Sequence, residues 1–398
     1  MKKLLPVTLL ALVSLQFSAP GPAVPPPQNS PDVARMIQIA RLVEEEQVQK
    51  AAEMILALSL KADTPDWGKY LKLLASGLGD GNLAPAVAGW SRLAPKPALD
   101  LLILPSDPAP VPLVLRYHSR EQERYRRYLD NLHHFLTAVG FKDPHGIIPG
   151  LIPPIYIADR LNPLSSKQFS RIVTAPEETR PPYTILLLKN VLEEYHRDHI
   201  QPLLPRLLTA EEHRILSPSA ALFFHLMNRL SYSFSYPLVT PPKGNPTRLR
   251  TLDQVLPEQL LIISEIRANT AAVTCSSVFA DHKIISREEE ASIYDYYLLF
   301  LLHRLQKQPA GPVNLPYLIQ FNFLARGFSL SYNLEAEKIG INRENARAVV
   351  RRLHQDILQL EKKGQLDPVT RFIHSHRSMD PQLGKIHELL FHASPESP

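Results

Sequence analysis

Cysteine is nearly absent: Cys275 is the only one in 398 residues. That excludes an intramolecular disulfide, and no cysteine near the N-terminus is available to carry a lipid. Cys275 lies between Thr274 and Ser276 in a helical pattern and reads as a small buried side chain rather than a nucleophile. The chain has no G-x-S-x-G elbow, no P-loop and no dinucleotide fingerprint, so the common signatures of serine hydrolases and nucleotide enzymes are missing. No fixed repeat period is found, which argues against a helical solenoid. Past the first 15 residues no apolar run is long enough to span a bilayer.

Proline is abundant. The chain has 38, roughly twice the ordinary usage of about 5%, and each removes a backbone donor and crowds the preceding turn. Many short elements joined by stiff loops follow. A hydrophobic content of 44% and a charged content of 21% describe a globular chain with length for two or three domains. The formal charge is +5, two units of it from Lys2 and Lys3, too mild to imply an anionic partner.

Lys2 and Lys3 precede an apolar stretch, Leu4 to Leu15, and small residues follow at Gly21-Pro22-Ala23. This is the three-part layout of a secretory signal peptide. Residues 1–23 are expected to be removed, leaving an exported chain, periplasmic or extracellular, without a transmembrane segment. N-terminal sequencing of exported protein should begin close to Val24, and intact Met1 on cytoplasmic protein would refute export.

Residues 24–31 form a proline-rich linker, and 32–93 a helical segment with apolar spacing at Val33, Ile37, Ile39, Ala40 and Val43 and further helices over 48–60 and 67–78. A central domain over 94–310 is predicted to open with a strand at 99–104 between proline clusters. It continues with one helix over 119–139 carrying His133 and His134, and short β-runs at 155–158 and 169–173. A long helix over 184–202 and helices at 220–230, 258–274 and 288–306 follow. The last segment, 311–398, reads as helical and basic. Within it 334–353 resembles a helix-turn-helix, with Ala336 in the first helix, Gly340 at the turn, and Arg343, Arg347 and Arg351 along the second. The fold class predicted is α+β, predominantly helical, with a small sheet.

Chemistry concentrates in the 184–202 stretch, where Glu193, Glu194, His196, Asp198 and His199 fall within seven positions. The run from Glu193 to Leu203 resembles the H-E-F-x-H-x-F-x-N-P-L helix of a class of exported bacterial zincin-like proteins, which have the HExxH metallopeptidase fold. It matches at Glu194, Tyr195, Ile200, Gln201, Pro202 and Leu203. The run from Ser264 to Ala268 resembles the segment that supplies the acidic third ligand, here Glu265. The resemblance implies a zincin-like central domain, but Glu193 stands at the first histidine position and Arg197 at the second. Arginine remains protonated and offers only donors, so it cannot hold zinc. The expectation is an inactive metallopeptidase-like domain that binds or scaffolds a protein or peptide, with no cofactor and no nucleic acid. Glu193 and Arg197, four apart, would pair across one turn near Glu265.

Two alternatives stay open. One is an active metallohydrolase with zinc on Glu193, His196 and His199, which are spaced three apart, together with Glu265, and with Glu194 as the base. The other is a purely helical interaction protein.

Overall fold

The structure is a computed structural model. It describes residues 31–93, 96–106, 109–139, 153–163, 168–174, 183–207, 216–232, 238–239, 250–306, 313–333, 335–336, 338–378 and 384. The leader and nearly all of the proline-rich linker lie outside these. The chain divides into two compact units, Met1–Glu123 with Ile148–Asn190, and Arg124–Ile147 with Val191–Pro398.

Unit 1 begins with four helices, α1 (Pro31–Glu44), α2 (Val48–Ser59), α3 (Pro65–Gly79) and α4 (Ala84–Arg92). Pro65 at the first position of α3 costs no hydrogen bond, and the Thr64 hydroxyl caps the helix by accepting from the Trp67 N–H at 3.3 Å. Five strands follow: β1 (Leu99–Leu104), β2 (Val111–Tyr117), β3 (Ile155–Arg160), β4 (Ser170–Thr174) and β5 (Tyr183–Leu188). They form one sheet in the order β1-β2-β3-β5-β4, antiparallel except for the β3–β5 pair. β5, buried from Thr184 to Leu188, lies between β3 and β4.

Here the structure corrects the reading of 184–202 as one helix. Thr184-Ile-Leu-Leu-Leu188 is a strand with neighbours on both sides, and a continuous apolar run of that length fits a buried strand as well as a buried helix. Strand β2 and helix α4 were also hidden, since Pro112 sits inside β2 and Pro85 inside α4.

In unit 1 both tryptophans of the chain converge on one carboxylate. Asp100 in β1 is fully buried and accepts from Trp90 Nε1 at 2.8 Å, Trp67 Nε1 at 3.2 Å and Tyr117 OH at 3.2 Å. Burial raises its pKa, against the pull of Lys96 and of these hydrogen bonds. Tyr70 OH donates to Leu101 O at 2.6 Å, so α3 and α4 are pinned to β1 by polar as well as apolar contacts.

Unit 2 is predominantly helical. The helix expected over 119–139 is broken into α5 (Ser119–Asp130) and α6 (Leu132–Ala138). After β5 come α7 (Lys189–Tyr195) and α8 (Pro218–Ser231), then the two-residue strands β6 (Leu238–Val239) and β7 (Arg250–Thr251) and the short α9 (Leu252–Val255). The long helices α10 (Leu260–Asp281) and α11 (Arg287–Leu305) form the centre, followed by α12 (Leu315–Arg326), a hairpin of β8 (Leu330–Asn333) and β9 (Lys338–Ile341), α13 (Arg343–Lys363) and α14 (Leu366–His376). Every residue of α10 from Arg267 to Ala280 is buried, as a helix lined all round by small and apolar side chains requires.

The helix-turn-helix reading fails. Gly340 lies in strand β9 and Ala336 in the turn before it, so among the described residues no first helix is formed. Two arginines of α13 meet acids of neighbouring helices: Arg343 lies 3.7 Å from Asp295, and Arg347 2.8 Å from Glu290 and 3.6 Å from Asp281. Among the described residues no helix is long and apolar enough to cross a membrane.

Candidate functional site

The chain leaves β5 directly into α7, whose axis continues as a π-helical turn, His196–Ile200, and a 3-10 turn, Gln201–Arg206. In the π turn the Gln201 N–H reaches back to His196 O, adding one residue to the ring. The sequence leads to the expectation that Arg197 pairs with Glu193 across one turn. Arg197 instead donates from Nε to Asp198 Oδ1 at 3.1 Å, with both side chains largely in solvent. Glu194 is exposed and Glu193 half-buried.

The two histidines of the motif face different surroundings. His196 is buried and stacks on Tyr296, with ring centroids 5.9 Å apart, and Tyr296 OH bonds His225 Nε2 at 2.7 Å. Burial lowers the His196 pKa, against the backbone bond at Leu216 and the charge of Glu193, so the ring is neutral near pH 7. His199 is half-buried and lies 5.2 Å from the rings of both Tyr195 and His303. His133 and His134 are remote from these in sequence: their rings lie 3.9 Å apart, and His134 stacks on His282 at 3.8 Å.

Glu265, in the first turns of α10, is the best-anchored acid of the expected set. Its Oε2 accepts from Tyr232 OH at 2.6 Å and its Oε1 from Tyr317 OH at 3.1 Å, with Asn269 Nδ2 at 3.4 Å. Asn269 in turn accepts from Asn228 at 2.8 Å. Burial, the Glu265 charge and these bonds hold both phenols well above the usual tyrosine range, so they remain donors. The Arg304 guanidinium lies 4.7 Å from the Tyr317 ring. Burial pushes Tyr195 up to about 12, while Arg304 pulls it back. Tyr195, His199, Glu265, His303, Arg304 and Tyr317 therefore offer donors, an acceptor and stacking faces within one unit.

Just beyond Glu265, Arg267 donates to Glu361 Oε1 at 2.8 Å and to the Ser231 carbonyl, with both side chains of the ion pair almost completely buried. Thr270 Oγ1 and His354 Nδ1 are 3.1 Å apart in the next turn. These contacts fix α10 against α13 and hold the Glu265 turn in place. Sequence reasoning found Glu265 but not Tyr232, Tyr317, His303 or Arg304, which lie 33 to 52 residues away from it along the chain. Only Asn269, one turn on, was within reach of a local pattern. Cys275 is buried 3.8 Å from the Met227 sulfur, and burial raises its thiol pKa, which removes it as a nucleophile. Among the described residues, no group of three or more His, Cys, Asp or Glu side chains converges as metal ligands would.

No protein-family model and no curated protein sequence matches the chain. Solved structures similar to it include two of dipeptidyl-peptidase III. DPP III from Caldithrix abyssi matches with a TM-score of 0.75 at 15% identity, over 87% of this chain and 68% of that one. Dipeptidyl-peptidase III from Corallococcus sp. strain EGB matches with a TM-score of 0.67 at 15% identity, over 87% and 67%. At this identity the likeness is one of fold: the chain has a predominantly helical α+β architecture like that of these two structures.

Proposed function

We propose that this is an exported protein in which a dipeptidyl-peptidase III-like fold serves to bind a peptide or protein segment rather than to cleave it. The observation that carries the reading is the state of Glu265. Both of its oxygens are engaged by tyrosine hydroxyls, and each phenol is held protonated by burial and by the carboxylate itself. A carboxylate held in this way is a fixed acceptor and orienting group, not an open ligand.

The surrounding donor set does not suit zinc either. A zinc ion needs neutral imidazoles or anionic oxygens converging at about 2.0–2.2 Å. Arg197 brings a permanent charge to the helix position at issue, and His196 turns its ring onto Tyr296 inside the core. The cluster that remains suits an extended peptide: Tyr195, His199 and His303 offer ring faces and Arg304 a cation. Export rests on the leader layout of Lys2, Lys3 and the apolar run after them.

One observation favours the metallohydrolase alternative: His196 Nδ1 is buried and has no hydrogen-bond partner among the described residues. Zinc analysis of the purified mature protein, paired with a peptide-hydrolysis assay and fluorescence-anisotropy binding of the same peptides, separates the two readings. Binding without hydrolysis and without stoichiometric zinc is expected. Equimolar zinc that is lost on His196→Ala or His199→Ala, together with turnover, would establish the hydrolase in which Glu193, His196 and His199 are ligands and Glu194 the base.

A further inference from the structure

Lys96, in the Pro-Lys-Pro run ahead of β1, plays no part in the reading above, and its surroundings belong wholly to unit 1. Its Nζ lies 3.6 Å from the centroid of the Trp90 ring and 4.9 Å from that of Tyr156, and it donates to the Trp90 carbonyl. Trp90 and Tyr156 meet edge to face, and Tyr117 closes on Tyr156 in the same way. The amine therefore sits in an aromatic box, while the residue as a whole keeps a half-buried position.

The carboxylate whose charge acts on Lys96 is Asp100, and its acceptor positions are already taken. Oδ2 receives Trp90 Nε1 and Tyr117 OH, and Oδ1 receives Trp67 Nε1 and the Leu101 N–H. Among the described residues no ion pair to Lys96 is formed. The ammonium is thus stripped of water without gaining a salt bridge, which favours the neutral amine. Burial lowers its pKa to about 7, with Asp100 opposing at a distance. The ring faces also favour the cation and return part of that shift, but a desolvated amine remains more nucleophilic at neutral pH than a solvated one.

We propose that Lys96 is a covalent acylation site, whose neutral amine attacks the carbonyl carbon of a thioester to give an N-acyl-lysine. The new N–C bond forms as the C–S bond breaks. The thiolate leaves and takes up the proton released by the amine, so the products are an amide and a free thiol, with no oxidant or reductant required. The amide keeps an N–H to donate to the Trp90 carbonyl, and an acetyl group presents its methyl to the ring faces. Acylation abolishes the charge and with it the cation–π contact to Trp90 and Tyr156.

Competitive labelling of the full-length protein with a limiting amount of the acetyl thioester of N-acetylcysteamine, between pH 6 and 10, tests this. The fractional acetylation of each lysine is read by peptide mass spectrometry. Exposed Lys61 and Lys362 serve as internal references. The expected result is that Lys96 labels about fivefold or more faster than both at pH 7, with its half-maximal pH at least one unit lower. Asp100→Asn, which removes the opposing charge, should move that midpoint lower still in protein whose tryptophan fluorescence shows the unit folded. Labelling of Lys96 at or below the reference rate throughout the unmodified protein would overturn the proposal, whatever the variant does.

Discussion

Arg267→Ala is expected to destabilise unit 2 by about 3–5 kcal/mol, the cost of leaving a buried partner charge uncompensated. Arg267 and Glu361 are 2.8 Å apart at side-chain exposures of 2% and 0%. Burial raises the Glu361 pKa, Arg267 lowers it again, and Glu361 Oε2 has no hydrogen-bond partner among the described residues. Removing the guanidinium also orphans the Ser231 carbonyl at the end of α8. The pair itself adds little beyond an apolar pair of similar size, because its Coulomb gain is spent against desolvation. Arg267→Met combined with Glu361→Leu should therefore recover most of the loss. Urea unfolding followed by far-UV circular dichroism measures this. Tryptophan fluorescence reports unit 1 separately, since Trp67 and Trp90 both lie there. A single-variant loss below about 1 kcal/mol, the scale of a solvated ion pair, would show that the pair is not buried as described.

The second large effect is an acid loss of stability that begins near pH 6.5. His354, buried beside Arg267, is lowered to about 3 by burial first and that charge second. His225 is held well below its usual value by burial and Arg229, and His196 is lowered as well, mainly by burial. Each is neutral in the folded state and protonates freely in the unfolded chain. The unfolded state thus binds more protons below about pH 6.5, and stability falls as pH falls, by about 1.4 kcal/mol per pH unit for each such histidine. The loss from His354 levels off only near pH 3. Glu361 works in the opposite sense, because its raised pKa lets the folded state take up a proton first. Chemical unfolding at pH 7, 6, 5 and 4 should show the decline, and His354→Asn should make it shallower by about one histidine's share. Equal slopes in the two proteins would rule out a neutral buried His354.

The single buried thiol and the helical periodicity of α2, α3, α8 and α11 were legible because they depend on local apolar spacing. So was the mixed α+β character, since the short β-runs at 99–104 and 155–158 carry their own apolar pattern. The identity of Tyr183–Leu188 was not. An unbroken run of apolar residues satisfies a helix interior and a two-sided strand alike, and only the neighbours β3 and β4 decide between them. The helix-turn-helix reading failed for a related reason. The spacing of Arg343, Arg347 and Arg351 records that they share one face of a helix, but not that acids from the start and middle of α11 and the end of α10 meet that face.

The candidate site divides in the same way. Residue identities alone determined that Arg197 cannot ligate a metal, because a guanidinium keeps its proton at any pH a protein survives. They also determined that Glu193, Glu194, His196, Asp198 and His199 crowd one short stretch. The tertiary structure alone decided what each can do. Arg197 bonds Asp198 at the surface, burial turned His196 into a neutral core ring, and Tyr232 and Tyr317, far away in sequence, closed on the oxygens of Glu265. The physical reason is that charge state and hydrogen-bond capacity belong to the surroundings of a side chain, and those surroundings come from segments that no local spacing connects.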